Sequence, residues 1–182
     1  MNPADLFKDA NPQRSRRVAA EISRRVIAEL GLPETPVMKD MNDGLTQAQS
    51  MGLTRKDLDV IYALGFQKMT GADFKAAEDV FSYLAIIDPL HAPNYYCLAV
   101  ARQAQGRHDE AEMAIYGFLA MDATNPNGYL RLGECRQARG DRAGAIEAYA
   151  LAEAECRNGH GDAATLDEAR AKRAIAEEEH EA

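Results

Sequence analysis

The sequence predicts an all-α fold of three antiparallel helix pairs stacked in a right-handed superhelix, between an N-terminal amphipathic helix and a C-terminal capping helix. Two observations carry this expectation. The chain repeats itself with a period of 34 residues, and its 182 residues include 33 Ala, no Trp and only 12 Tyr and Phe. Such a mix favours helices packed closely through small side chains over a sheet. The length suits one domain.

At an offset of 34, Ile61, Tyr95 and Tyr129 align, as do Leu64, Leu98 and Leu132, and then Gly65, Ala99 and Gly133. Further along, Ala77, Ala111 and Ala145 align, followed by Phe81, Ile115 and Tyr149. Counted from residues 58, 92 and 126, these columns are relative positions 4, 7, 8, 20 and 24. Gly71, Gly106 and Gly140 mark a turn between positions 8 and 20, so each unit reads helix, turn, helix. Large side chains at 4, 7 and 24 fill the space between paired helices, and small ones at 8 and 20 let the backbones approach. Thr54 with Asp57 forms a capping box, Asn125 caps a helix whose first residue is Pro126, and Pro89 and Pro93 separate the first unit from the second. The period and columns resemble the tetratricopeptide repeat and assign residues 58–157 to three pairs.

Residues 1–57 read as an N-terminal helical region. Val18, Ile22, Val26 and Leu30 form one stripe over residues 16–30, with arginines on the other side. That stripe needs cover, from a second copy or from the first repeat, and a homodimer through these four residues is the expectation. Gly31, Pro33 and Pro36 end the helix, and a second short one is expected near Asp43. Residues 158–182 read as a capping helix and acidic tail. Asn158, Gly159, His160 and Gly161 break the third repeat, and Thr165 with Glu168 predicts a capping box for a helix running to about Glu178.

A net charge of −8 disfavours nucleic acid. No apolar run spans a bilayer, so membrane insertion is not expected, and with no apolar signal-peptide core at the N-terminus a cytoplasmic location is. Cys97, Cys135 and Cys156 match neither a disulfide framework nor a zinc motif and read as buried thiols. His91, His108, His160 and His180 lack ligand partners at helical spacing. With no phosphate loop, nucleophile motif or isolated carboxylate pair, catalytic residues, metal and cofactor are all expected to be none.

Binding remains. Positions 2, 5, 9 and 12 of each first helix lie on the face turned away from the packing seam, along a concave wall. They are Asp59, Tyr62, Phe66 and Met69, then Pro93, Tyr96, Val100 and Gln103, then Asn127, Leu130, Glu134 and Gln137. The groove is apolar and aromatic at one end and polar at the other. Without Lys or Asn at positions 5 and 9 it cannot clamp a terminal carboxylate, and it suits an extended segment with hydrophobic side chains.

Phe81, Leu84 and Asp88 in the pattern F-x-x-L-x-x-x-D, the A-R-Q-A-x-G run from Ala101 to Gly106, and three repeats between helical flanks resemble the class II chaperones of bacterial type III secretion. The likeness runs from about Asp57 to Ala154. It implies a small, acidic, non-enzymatic cytosolic protein that binds hydrophobic pore-forming translocators through a short extended segment near their N-terminus. It also implies aromatic groove positions at Tyr62, Phe66 and Phe74, and departs from the family at Met69, where an aromatic is usual. A repeat scaffold bridging two proteins is the alternative.

Overall fold

The computed structural model describes residue 39 and residues 45–181. Among these, α1 is Gln47–Ser50, α2 Arg55–Thr70, α3 Phe74–Ile87, α4 Ala92–Ala104, α5 His108–Met121, α6 Pro126–Ala138, α7 Arg142–Glu155 and α8 Ala163–Glu181, with a π-helical turn at Cys156–His160 before α8. No strand occurs among the described residues. The three pairs are α2/α3, α4/α5 and α6/α7, and α8 packs on α7 and α6.

The helix starts follow local chemistry. Thr54 accepts from the Asp57 backbone N–H while the Asp57 carboxylate takes the Thr54 N–H at 2.8 Å, closing the expected box. Asn125 accepts from the Asn127 N–H ahead of α6, with Pro126 in its first turn. The short helix α1 is held by a Thr46–Gln49 box; Asp43, near which a second short helix is expected to start, lies outside the described residues. At the other end the cap of α8 is Asp162, whose carboxylate accepts the Thr165 N–H at 2.7 Å. Thr165 therefore sits inside the first turn rather than capping it, because the helix begins earlier than the Thr165–Glu168 spacing suggested.

The repeat columns form the seam. Ala77, Ala111, Ala145, Phe81, Ile115 and Tyr149 are all fully buried. A Cβ on Gly65 would stand 2.8 Å from the Phe81 ring, and one on Gly133 would run into the Tyr149 ring. In the second pair the small residue is Ala99 and its facing residue is Ile115, so the larger small column is matched by a slimmer partner. Leu64 departs from its column: it is 46% exposed, whereas Leu98 is 6% and Leu132 0% exposed. The later two each follow another pair in the stack, whereas among the described residues no pair precedes α2.

A second register unites neighbouring repeats. Buried Glu78 takes the Arg102 Nε at 3.2 Å, and 34 residues on, buried Glu112 takes the Arg136 Nε at 3.2 Å. Arg107 and Arg139 add a second guanidinium to each carboxylate, both at 2.5 Å. Each second helix is thus pinned to the first helix of the next pair. On α7, Glu153 is held by Arg173 of α8 at 3.4 Å.

The turns carry a left-handed residue at positions 72, 106 and 140, with φ of 57°, 73° and 80°. Gly106 and Gly140 suit this, but the first repeat places Ala72 there, while Gly71 keeps a negative φ. Left-handed backbone costs a residue with a Cβ about 1–2 kcal/mol, part of which Gly returns as unfolded-chain entropy. Ala72→Gly is therefore expected to raise stability by up to about 1 kcal/mol, read as a small upward shift in thermal melting.

Candidate functional site

The first helices of successive pairs, α2, α4 and α6, touch one another and make the inner wall. On it, Phe66 is 53% exposed and Tyr96, Val100 and Met69 are half-buried, giving an apolar surface that faces solvent, while Phe74, also half-buried, opens α3, a second helix. The surface includes an open cleft of about 310 Å³ lined by Pro93, Tyr96, Phe118, Asn125 and Asn127. Tyr96 and Phe118 form its aromatic floor, with ring centroids 5.2 Å apart. Asn125 and Asn127 edge it with amides, held by the bond from Asn127 Nδ2 to Asn125 Oδ1 at 3.2 Å. The arrangement can take one or two apolar side chains on the rings and leaves polar groups at the rim for a backbone.

Several expected groove residues have other duties. Tyr62 stands edge-on to Phe81 at 5.4 Å and its hydroxyl lies 3.1 Å from Cys97 Sγ, so it joins the first pair to the second as well as bordering the groove. Burial, together with this bond, pushes its phenol well above the ordinary range. Leu130 is only 5% exposed and belongs to the core, not to an open groove. Gln137 receives the Tyr149 hydroxyl at 2.9 Å, tying it to its own pair. Gln103 donates to the Arg131 carbonyl at 3.3 Å and to Glu134 at 3.4 Å. Of the position-2 residues, Asp59 pairs with Arg55 at 2.9 Å, while Pro93 and Asn127 line the cleft.

Glu134 is the centre of the polar end. Arg131 reaches it at 2.9 Å and Lys172 of α8 at 2.8 Å. Burial alone would raise its carboxyl, but the hydrogen bond from Lys172 and the charge of Arg131 hold it below the usual range. Arg131 also lies 5.8 Å over the Tyr96 ring and donates to its hydroxyl at 3.2 Å. The third-repeat end of the groove is therefore a closed ion cluster, and the accessible apolar wall belongs to the first two repeats.

Phe118, Asn125 and Arg131 were not singled out as groove residues by sequence. Phe118 lies on a second helix, in a column that runs Leu84, Phe118, Ala152, and its jump in size is the signal that could have marked it. Val18, Ile22, Val26 and Leu30, expected from sequence to make a dimer contact, lie outside the described residues. Burial raises the Cys97 thiol and pushes Cys135 up to about 11, the reverse of what a nucleophile needs. Among the described residues no cluster of His, Cys, Asp or Glu could hold a metal, and no helix is long and apolar enough to cross a membrane.

No protein-family description and no curated protein sequence matches the chain. Solved structures do. A type III secretion complex from Aeromonas hydrophila superposes with a TM-score of 0.74 at 22% identity, covering 79% of this chain and 95% of that one. PcrH of Pseudomonas aeruginosa, in complex with the chaperone-binding region of PopD, gives 0.68 at 25% identity over 71% of this chain and 97% of its own. The Yersinia enterocolitica translocator chaperone SycD, in a structure described as an alternative dimer, gives 0.67 at 22% over 71% and 98%. In its repeat pattern and in its fold, this chain is similar to the class II translocator chaperones of type III secretion.

Proposed function

We propose that the chain is a cytoplasmic, non-enzymatic chaperone that holds a hydrophobic pore-forming translocator before export, keeping it soluble and unassembled. The observation that carries this reading is the apolar wall from Phe66 to the Tyr96–Phe118 cleft, on the fold that PcrH uses with the chaperone-binding region of PopD. A translocator must later enter a membrane, so its apolar segments aggregate in water unless covered. An extended segment gains backbone partners at Asn125 and Asn127 while its apolar side chains lie on Tyr96, Phe118 and Phe66. Binding of this kind needs no nucleotide, and release falls to the export machinery. A second copy of the chain is the further partner, a reading that the SycD dimer supports.

Co-expression with a hydrophobic type III secretion translocator tests the proposal. The translocator is expected in the pellet when made alone and in the soluble fraction, co-purifying, when made with this chain. Tyr96→Ala should lose most of that rescue while the protein stays folded. A translocator equally soluble with and without the chain would refute the chaperone role.

A further inference from the structure

The two tyrosines of the inner wall are held in the same register. Tyr62 and Tyr96 both stand at position 5, and the hydroxyl of each meets a side chain 35 residues on, at position 6 of the next first helix. For Tyr62 that side chain is Cys97, a buried thiol whose Sγ lies 3.1 Å away. For Tyr96 it is Arg131, whose Nε donates at 3.2 Å and whose guanidinium carbon lies 5.8 Å from the ring centroid. A thiol has one proton to offer, whereas a guanidinium can be drawn elsewhere by a carboxylate.

Glu134 is that carboxylate. A carboxylate with both oxygens free takes two guanidinium donors side by side. Here Arg131 Nη1 donates to Glu134 Oε2 at 2.9 Å, and Gln103 Nε2 adds a longer bond to the same oxygen at 3.4 Å. The other oxygen, Oε1, is occupied by Lys172 Nζ of α8 at 2.8 Å. With that oxygen taken, Arg131 places a single donor on Glu134 and keeps Nε for Tyr96. The guanidinium therefore has two arrangements: shared between Glu134 and Tyr96, or turned with both donors on Glu134. In the second, the Tyr96 hydroxyl loses its partner.

We propose that Lys172 is a positioning residue: by occupying Glu134 it keeps Arg131 on Tyr96, so that docking of α8 presets the floor of the cleft for an apolar side chain. Lys172 itself does not line the cleft. A floor fixed before binding spares the cost of immobilising Tyr96 when the segment arrives. Such coupling is reciprocal, so a segment seated on Tyr96 steadies α8 in turn. The effect on affinity rests on the chaperone reading, and the hold on Tyr96 does not.

The test uses the full chain with ring-labelled tyrosine, the Tyr96 NMR signal being assigned with Tyr96→Phe. Lys172→Met should leave α8 docked, since Ala169 and Ala176 are fully buried and Arg173 pairs with Glu153 at 3.4 Å. It is expected to move the Tyr96 signal in the same direction as Arg131→Met, with helicity near the parent's, while Lys172→Arg leaves the signal in place. Titration of the N-terminal segment of the co-purifying translocator gives the second readout. Lys172→Met should weaken binding roughly fivefold, the cost of immobilising one side chain. In the Tyr96→Phe background the same change should cost less than about twofold, as for sites that no longer interact. An unmoved Tyr96 signal in folded Lys172→Met, or an equal loss of affinity in both backgrounds, would overturn the proposal. The ring signal decides it even if the parent binds no segment, a result that would refute the chaperone reading alone.

Discussion

Tyr149→Ala is expected to remove about 3–5 kcal/mol of stability, the range for emptying an aromatic site in a core. Tyr149 is fully buried, its ring fills the space left by Gly133, and its hydroxyl bonds Gln137. Nothing nearby can collapse into the gap, because Gly133 has no side chain and Ala145 and Ala148 are short. In a domain of this size the loss corresponds to a fall of roughly 10 °C in melting temperature. The converse change, Gly133→Ala, overpacks the same contact and should cost about 1–3 kcal/mol. If both variants melt like the parent, the small and large columns are not the seam.

Glu112→Ala is the second large effect. Arg136 and Arg139 both point their charge at a carboxylate with only 10% of its side chain exposed, so removing it breaks two ion pairs between α5 and α6, leaving Arg139 with Asp109 and Arg136 with the Tyr116 hydroxyl and the Gly144 carbonyl. Because both arginines keep other partners, the expected cost is about 2–3 kcal/mol, that of losing hydrogen bonds to a charged group. By contrast Glu110, exposed beside Arg107, should be replaceable by Ala with the melt near the parent's. The equivalent Glu78 adds a pH signature. Burial would raise its carboxyl, but hydrogen bonds from Gln105 and Arg102 and the charge of Arg107 hold it below the ordinary value. Its contribution is therefore present above the ordinary glutamate range and lost as pH falls through the lowered value. Thermal melts across the acid range should show Glu78→Gln losing less stability on acidification than the parent.

The fold was readable because packing repeats: Ala77, Ala111 and Ala145 each meet the same neighbour, and one offset exposes all three. The Glu78–Arg102 and Glu112–Arg136 pairs lie in the same offset, but polar columns look like solvated faces until geometry shows them buried. End effects were less readable. Leu64 has the right residue in the right column and is exposed because a column says what a position needs, not whether a neighbour is present to supply it. Leu130 shows the opposite error, since helix phase put it on the inner face and its actual burial depends on tertiary packing that no spacing within α6 encodes. Ala72 was hidden because Gly71, one residue away, looked like the turn.

The site followed the same division. First-helix periodicity places Phe66, Tyr96 and Val100 on the inner face, and in the structure Phe66 is exposed and the other two are half-buried. Phe118 reaches the cleft from a second helix, and Lys172 closes the polar end from beyond the repeats, both through tertiary contacts that periodicity within one helix does not carry.

Titration of the N-terminal segment of the translocator that co-purifies with the chain into the parent, Phe66→Ala and Tyr96→Ala tests the central claim most directly. The account predicts that each variant stays helical and cooperative in its melt and loses about 2 kcal/mol or more of binding, because aromatic anchors dominate such interfaces. Folded variants that bind the segment as tightly as the parent would contradict it and move the binding site away from the concave wall.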